Sequence, residues 1–147
     1  MAHIRKQIRE YFGTQLTGLT TTGANVFESR VYPMQSAKLP ALLIYTTSES
    51  SEESAFSKKR VMDRTVNVQV EGFVRTITNF DDTLDLIAEE VEVALLDDPT
   101  LGGLAINTVL TSTEATYSGD SEQPVGTIIL TFEVHYRTET GVPGTAI

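Results

Sequence analysis

Apolar residues recur along the chain with two periods, which predict two helices and several strands. Near the N-terminus, a period of three to four residues predicts a helix with Ile4, Ile8, Tyr11 and Gln15 on one stripe. Phe12 and Leu16 lie at the edge of that stripe. A second helix is predicted over residues 79–96, with a core face that comprises Leu84, Ile87, Ala88, Val91, Ala94 and Leu95.

Strand patterns occupy most of the remaining chain. A continuous apolar run at residues 41–45 predicts a central strand that is covered on both faces. Strict alternation predicts strands over residues 65–75 and 127–137. Weaker patterns predict strands over residues 26–31 and 105–117.

The predicted element order is α-β-β-β-α-β-β, which indicates the α+β class. We expect a single domain over residues 1–138, in which both helices pack against a mostly antiparallel sheet. Residues 139–147 lack a packing pattern and are expected to form a flexible tail. Gly72 lies on the valine face of its strand, which indicates a bulge or a close backbone approach.

Composition narrows the functional classes. The 147 residues include 11 Lys and Arg against 20 Asp and Glu, for a net charge of −9. Such a surface repels phosphate groups and argues against general nucleic-acid binding. The absence of cysteine excludes disulfide scaffolds, thiolate metal sites and cysteine nucleophiles. No apolar run approaches the roughly 20 residues of a membrane span, so no membrane association is expected.

Motifs for catalysis or cofactor binding are not found in the sequence. The two histidines, His3 and His135, have no convergent partner with catalytic or metal-ligand spacing. Gly102 and Gly103 lack the neighbouring Lys of a phosphate-binding loop. The acidic helix could hold a divalent cation loosely, although a solvated acidic face is favoured. We therefore predict no catalytic residue, no metal site and no cofactor, and do not expect an enzyme.

The second predicted helix combines acidic residues with an unexplained apolar stripe. Leu86, Val93 and Leu96 fall outside its core face, among eight acidic residues, which are Asp81, Asp82, Asp85, Glu89, Glu90, Glu92, Asp97 and Asp98. One interpretation is an ordinary solvated face with a few apolar residues. The other is that Leu86 and Val93 meet another subunit, with the acidic edge lining a shared cavity in a ring.

Residues 48–59 form a polar segment that is predicted to be a long loop between two strands. Only Ala55 and Phe56 in it are apolar. Long loops in compact domains are often functional, although a tolerated insertion explains this one equally well. The basic triplet Lys58, Lys59 and Arg60 is expected to pair with nearby glutamates or with an acidic partner, or to hold one phosphate.

Several segments, in order, resemble phage tail terminator proteins of the lambda minor tail protein U type. The resemblance covers nearly the whole chain. It rests on residues 26–31 (VFESRV), 39–46 (LPALLIYT), an acidic loop, the alternating strand 65–75, the helix that opens with Asp81 and Asp82, the segment 97–101 (DDPTL), and the alternating strand 128–136.

This resemblance implies a structural protein. Tail terminators are small domains that form hexameric rings on the tail tube, end its polymerisation and offer a surface to the head or neck. The implied partners are further copies of the chain, the tail tube protein and a head or neck completion protein, with DNA passing through the ring without specific binding. The implied location is the head-proximal end of the tail in the virion, after assembly in the host bacterial cytoplasm.

Two sets of site residues follow as hypotheses. Leu86, Glu90 and Val93 are predicted to contribute to the subunit interface. The loop is predicted to contact the tail tube or neck through Glu49, Glu52, Glu53, Phe56, Lys58, Lys59 and Arg60.

Two alternatives to a terminator remain open. One is a head-tail connector or tail-completion ring protein of a long-tailed phage. The other is a small cytoplasmic enzyme or ligand-binding domain, which requires a convergent polar pocket.

Overall fold

A computed structural model describes residues 2–28, 40–53, 60–75, 80–118 and 125–147. Within them lie two α-helices, one short 3₁₀ helix and six strands. Their bounds are α1 Ile4–Leu16, β1 Val26–Phe27, β2 Ala41–Glu53, β3 Val61–Arg75, α2 Phe80–Leu96, the 3₁₀ helix Leu101–Gly103, β4 Asn107–Ser118, β5 Val125–Glu139 and β6 Val142–Ala146.

The strands form one six-stranded sheet in the order β1-β2-β3-β5-β4, with β6 paired to β5. Only β1 pairs in parallel, with β2, and all other pairings are antiparallel. The central β3–β5 ladder keeps one register from Val61 opposite Glu139 to Arg75 opposite Val125. The predicted α+β class and element order are confirmed.

Both helices pack on one face of this sheet and enclose the core. The alternating inward residues of β3 and β5 are buried there, as their pattern predicts: Val66, Val68, Val70, Val74, Ile128, Leu130, Phe132, Val134 and Tyr136. The core face predicted for α2 is buried as well, with Ala94 partly so. Neither helix in the described residues is long and apolar enough to cross a membrane.

The inward stripe of α1 differs from the prediction in its second half. Ile4, Ile8, Phe12 and Leu16 are fully buried, whereas Gln15 is exposed. Phe12 packs edge-on against Phe132 of β5, with ring centroids 5.8 Å apart and an interplanar angle of 85°. Burying Gln15 instead would remove an amide from water without a hydrogen-bond partner, so the helix turns its purely apolar stripe inward.

Gly72 marks a close approach between the sheet and α2. A Cβ atom there would lie 3.1 Å from Cγ2 of Ile87 on α2 and 3.1 Å from Cγ2 of Ile128 on β5. The register shift between β2 and β3 lies elsewhere, between Thr46 and Ser48. Of the two predicted explanations, the structure therefore shows the close approach.

Two segments expected to lack regular structure are strands. β2 continues through residues 48–53, where a loop is predicted, because these polar residues pair with β3 up to Glu53 opposite Met62. Val142–Ala146, within the predicted flexible tail, forms β6, and its Ala146 packs against the core. The rest of the predicted loop, residues 54–59, and the predicted helix-start residue Asn79 lie outside the described residues.

Candidate functional site

The outer face of α2 carries Leu86 and Val93, the apolar residues predicted to lie outside its core face. Leu86 is 47% exposed and Val93 is 68% exposed. The two side chains are seven residues apart, or about two helical turns, and therefore lie along one line on the helix. The helical period alone accounts for this placement, and it agrees with the predicted position off the core face.

A groove runs beside this line of apolar residues. Its volume is about 380 Å³, and it lies between α2 and the segment that follows α1. The lining residues are Gly18, Leu19, Thr20, Leu86, Glu89, Glu90, Val93 and Ala94. Two of the three predicted interface residues, Leu86 and Val93, thus contribute exposed apolar surface to one concave feature.

Glu90, the third predicted interface residue, is engaged within the molecule. Its carboxylate accepts a hydrogen bond from the backbone N–H of Thr21 at 2.9 Å and another from the Thr21 hydroxyl. These bonds fix the wall formed by residues 18–20 against α2. Glu90 therefore holds the groove together, which the sequence could not indicate because the two residues are 69 positions apart.

The surroundings of the groove are negatively charged. Among the described residues, Asp81, Asp82, Asp85, Glu89 and Glu92 of α2 form no ion pair. The described part of the chain also contains no group of three or more His, Cys, Asp or Glu side chains arranged to hold a metal ion. The site offers an apolar line within an acidic surface, which suits docking of another molecule.

Glu49 lies in a buried network and not in an exposed loop, which corrects its predicted placement. Its side chain is 9% exposed and accepts hydrogen bonds from Arg5 of α1, Arg64 of β3 and Tyr136 of β5. The Arg64 Nη1 to Glu49 Oε2 distance is 3.4 Å. Burial and the neighbouring Glu49 carboxylate raise the pKa of the Tyr136 hydroxyl.

The other predicted loop residues are divided between strand and undescribed chain. Glu52 and Glu53 belong to β2, and Arg60 immediately precedes β3. Arg60 Nη1 lies 3.8 Å from Glu53 Oε1, so one of the predicted pairings of the basic triplet is present. Phe56, Lys58 and Lys59 lie outside the described residues.

The two histidines have separate surroundings. His3 precedes α1, and its Nδ1 accepts a hydrogen bond from the backbone N–H of Arg5 at 3.1 Å. Burial and the nearby Arg5 and Arg64 guanidinium groups lower the pKa of His3. His135 Nδ1 is 3.0 Å from the Thr65 hydroxyl, and its Nε2 is 3.5 Å from Glu133.

Comparison with known proteins adds independent information. A family model described as phage minor tail protein U matches residues 3–136. A chain from a structure titled "Virion of native gene transfer agent (GTA) particle" is similar at 10% sequence identity and a TM-score of 0.44. That similarity covers 90% of this chain and 92% of the other. No curated protein matches the chain.

Proposed function

Because the chain belongs to the phage minor tail protein U family, it is a structural protein of the phage tail and a component of the virion, and we propose that it forms a ring on the tail tube. In this proposal the ring ends tube polymerisation and offers the attachment surface for the head or neck at the head-proximal end of the tail. The family match over residues 3–136 is the observation that carries the proposal.

The outer face of α2, with its line of exposed apolar residues, is the proposed contact between neighbouring copies. Leu86 and Val93 supply the apolar surface, and Glu90 keeps the wall of the groove in place. Complete burial of an exposed Leu or Val side chain is worth roughly 1.5–3 kcal/mol, and the partly exposed Leu86 and Val93 would supply a fraction of that at every contact around a closed ring. We propose six copies, as the family resemblance implies.

The charge of the chain supports passage of DNA through the ring without binding. Each copy carries a net charge of −9. A ring of such copies repels the phosphate backbone at close range, where salt screens least. This keeps the channel free of sites at which DNA would be retained.

The β2–β3 hairpin is the proposed contact with the tail tube or neck. Glu52, Glu53 and Arg60 lie at its end, and Phe56, Lys58 and Lys59 occur between the two strands in sequence. Glu49 does not belong to this contact because it is engaged with Arg5, Arg64 and Tyr136. Removing residues 54–59 should impair control of tail length if the assignment is right.

The first test is a double substitution, Leu86→Ser with Val93→Ser. We expect it to abolish rings seen by negative-stain microscopy and light scattering, in the presence of purified tail tubes, while the circular dichroism spectrum stays unchanged. Val142→Ser, which alters a side chain that is 44% exposed on β6, is the matched control and should leave rings intact. Rings that persist in the double variant would exclude this contact.

A second measurement separates a terminator from a connector. Tail tubes assembled with the purified protein should stop at a defined length, with the ring at one end. Tubes of uncontrolled length, together with binding of the ring to tailless heads, would instead indicate a head-tail connector.

A further inference from the structure

β4 is an edge strand of the sheet, since β5 is the one strand among the described residues that pairs with it. It pairs with β5 from Asn107 opposite His135 to Ser118 opposite Val125. No described strand pairs with its other side. The strand contains one charged residue, Glu114, and neither Lys nor Pro. Charged residues, Pro and bulges usually protect such edges, and β4 has a register shift between Leu110 and Ser112. Beyond it, Ser112–Ser118 pairs regularly with β5 and has Glu114 as its one charged residue, so this part of the edge is the one suited to the addition of another strand.

A cavity of about 310 Å³ lies beside the last residues of this edge. It is formed where the first turns of α2 approach β4 and β5, and its lining residues are Asp81, Leu84, Ala115, Thr116, Tyr117 and Gly126. A strand added to β4 would direct alternate side chains toward the helix layer. One of these side chains would enter the cavity next to the Asp81 carboxylate.

The charge distribution specifies what kind of side chain fits. No Lys or Arg occurs between Arg75 and Arg137. The twelve acidic residues of that interval are Asp81, Asp82, Asp85, Glu89, Glu90, Glu92, Asp97, Asp98, Glu114, Asp120, Glu122 and Glu133. A basic segment would be attracted to Asp81 in the cavity and to the neighbouring Asp82 and Asp85 of α2.

We propose that the β4 edge binds an extended, basic segment of a partner protein by strand addition. Backbone hydrogen bonds to β4 supply the affinity, and a Lys or Arg side chain of the partner occupies the cavity against Asp81. This surface is separate from the groove on α2. The inference therefore stands independently of the proposed ring contact.

The test uses the full chain and fluorescent decapeptides in which Thr and Val alternate. One peptide carries two Lys residues on one face, a second carries Glu at the same positions, and a third is the Lys peptide with alternate amides N-methylated. We expect the Lys peptide to bind about tenfold more tightly than either of the others, as measured by fluorescence anisotropy at low salt. Hydrogen exchange at β4 amides should slow when the Lys peptide is added.

Matched variants distinguish this site from general attraction to an acidic protein. Asp81→Asn and Ala115→Lys alter the cavity and should each weaken binding of the Lys peptide about tenfold. Asp97→Asn and Thr100→Lys make the same charge changes at exposed positions away from the cavity and should leave binding unchanged. Circular dichroism establishes that each variant is folded.

Three results would overturn the proposal. The first is that the Lys peptide does not bind, and the second is that all four variants weaken its binding equally. The third is that hydrogen exchange at β4 amides slows as the protein concentration rises without peptide, which would identify a second copy as the occupant. Light scattering of the same samples tests the ring separately. Peptide binding without rings would refute only the proposed function, and rings without peptide binding would refute only this inference.

Discussion

The carboxylate of Glu49 joins three elements by accepting hydrogen bonds from Arg5 of α1, Arg64 of β3 and Tyr136 of β5. A carboxylate that is 9% exposed has lost most of its hydration, and these donors replace it. Its removal leaves Arg64, whose side chain is only 13% exposed, without its charged partner. Through Arg5, this network binds the start of α1 to strands β2, β3 and β5 of the sheet.

Glu49→Gln should lower the free energy of unfolding by about 2–3 kcal/mol. This expected loss is smaller than the loss on breaking a fully buried ion pair because the Arg5 side chain is 38% exposed. Glu53→Gln, which disrupts an exposed pair with Arg60, should cost less than about 1 kcal/mol. Urea denaturation of both variants measures the difference, and equal losses would show that the Glu49 network adds no more stability than the exposed pair.

His3 should make the stability of the chain depend on pH. Its pKa is lowered in the folded chain, so the unfolded chain binds the proton more tightly. The stabilising contribution is complete above a pH of about 6.5 and decreases as the pH falls below that value. Protonation at Nδ1 would also remove the acceptor for the Arg5 backbone N–H.

The variant His3→Asn tests this dependence. Asn caps helices well and does not titrate. Between pH 7 and pH 5.5, the variant should lose less stability than the unsubstituted chain in urea denaturation. Parallel curves for the two proteins would assign the pH dependence to other groups.

At the scale of elements, patterns predicted the parts of the fold whose two faces differ. β3, β5 and α2 each bury one face and expose another, so alternation or helical periodicity is visible in their residues. The end of β2 lacks such a pattern because its residues 48–53 are polar on both faces. This part of β2 is a strand because it pairs with β3, and a pairing between distant segments cannot be recognised from the residues of one segment alone.

Gly72→Ala tests how closely α2 approaches the sheet. The added Cβ would meet Cγ2 of Ile87 and Cγ2 of Ile128 at 3.1 Å, so either α2 or the side chains must shift. We expect a loss of about 1–3 kcal/mol in the free energy of unfolding. The loss should be smaller in an Ile87→Ala background, measured as a double-mutant cycle. Additive losses would show that α2 is free to move.

At the scale of the whole molecule, the candidate site is predictable only in part. The exposure of Leu86 and Val93 follows from helical geometry. The opposite wall of the groove depends on the contact between Glu90 and Thr21, which only the folded chain brings together. His3 as the cap of α1 was likewise not predicted, because histidine is outside the residue types that usually cap helices.

The uninterrupted β3–β5 register also determines how the molecule responds to mechanical load. Hydrogen bonds in an antiparallel ladder run perpendicular to the strands. A pull along the strands therefore shears the bonds between Val61–Arg75 and Val125–Glu139 together, whereas a pull across them opens the ladder one pair at a time. A tail component that transmits tension along these two strands would resist far more force than one loaded across them.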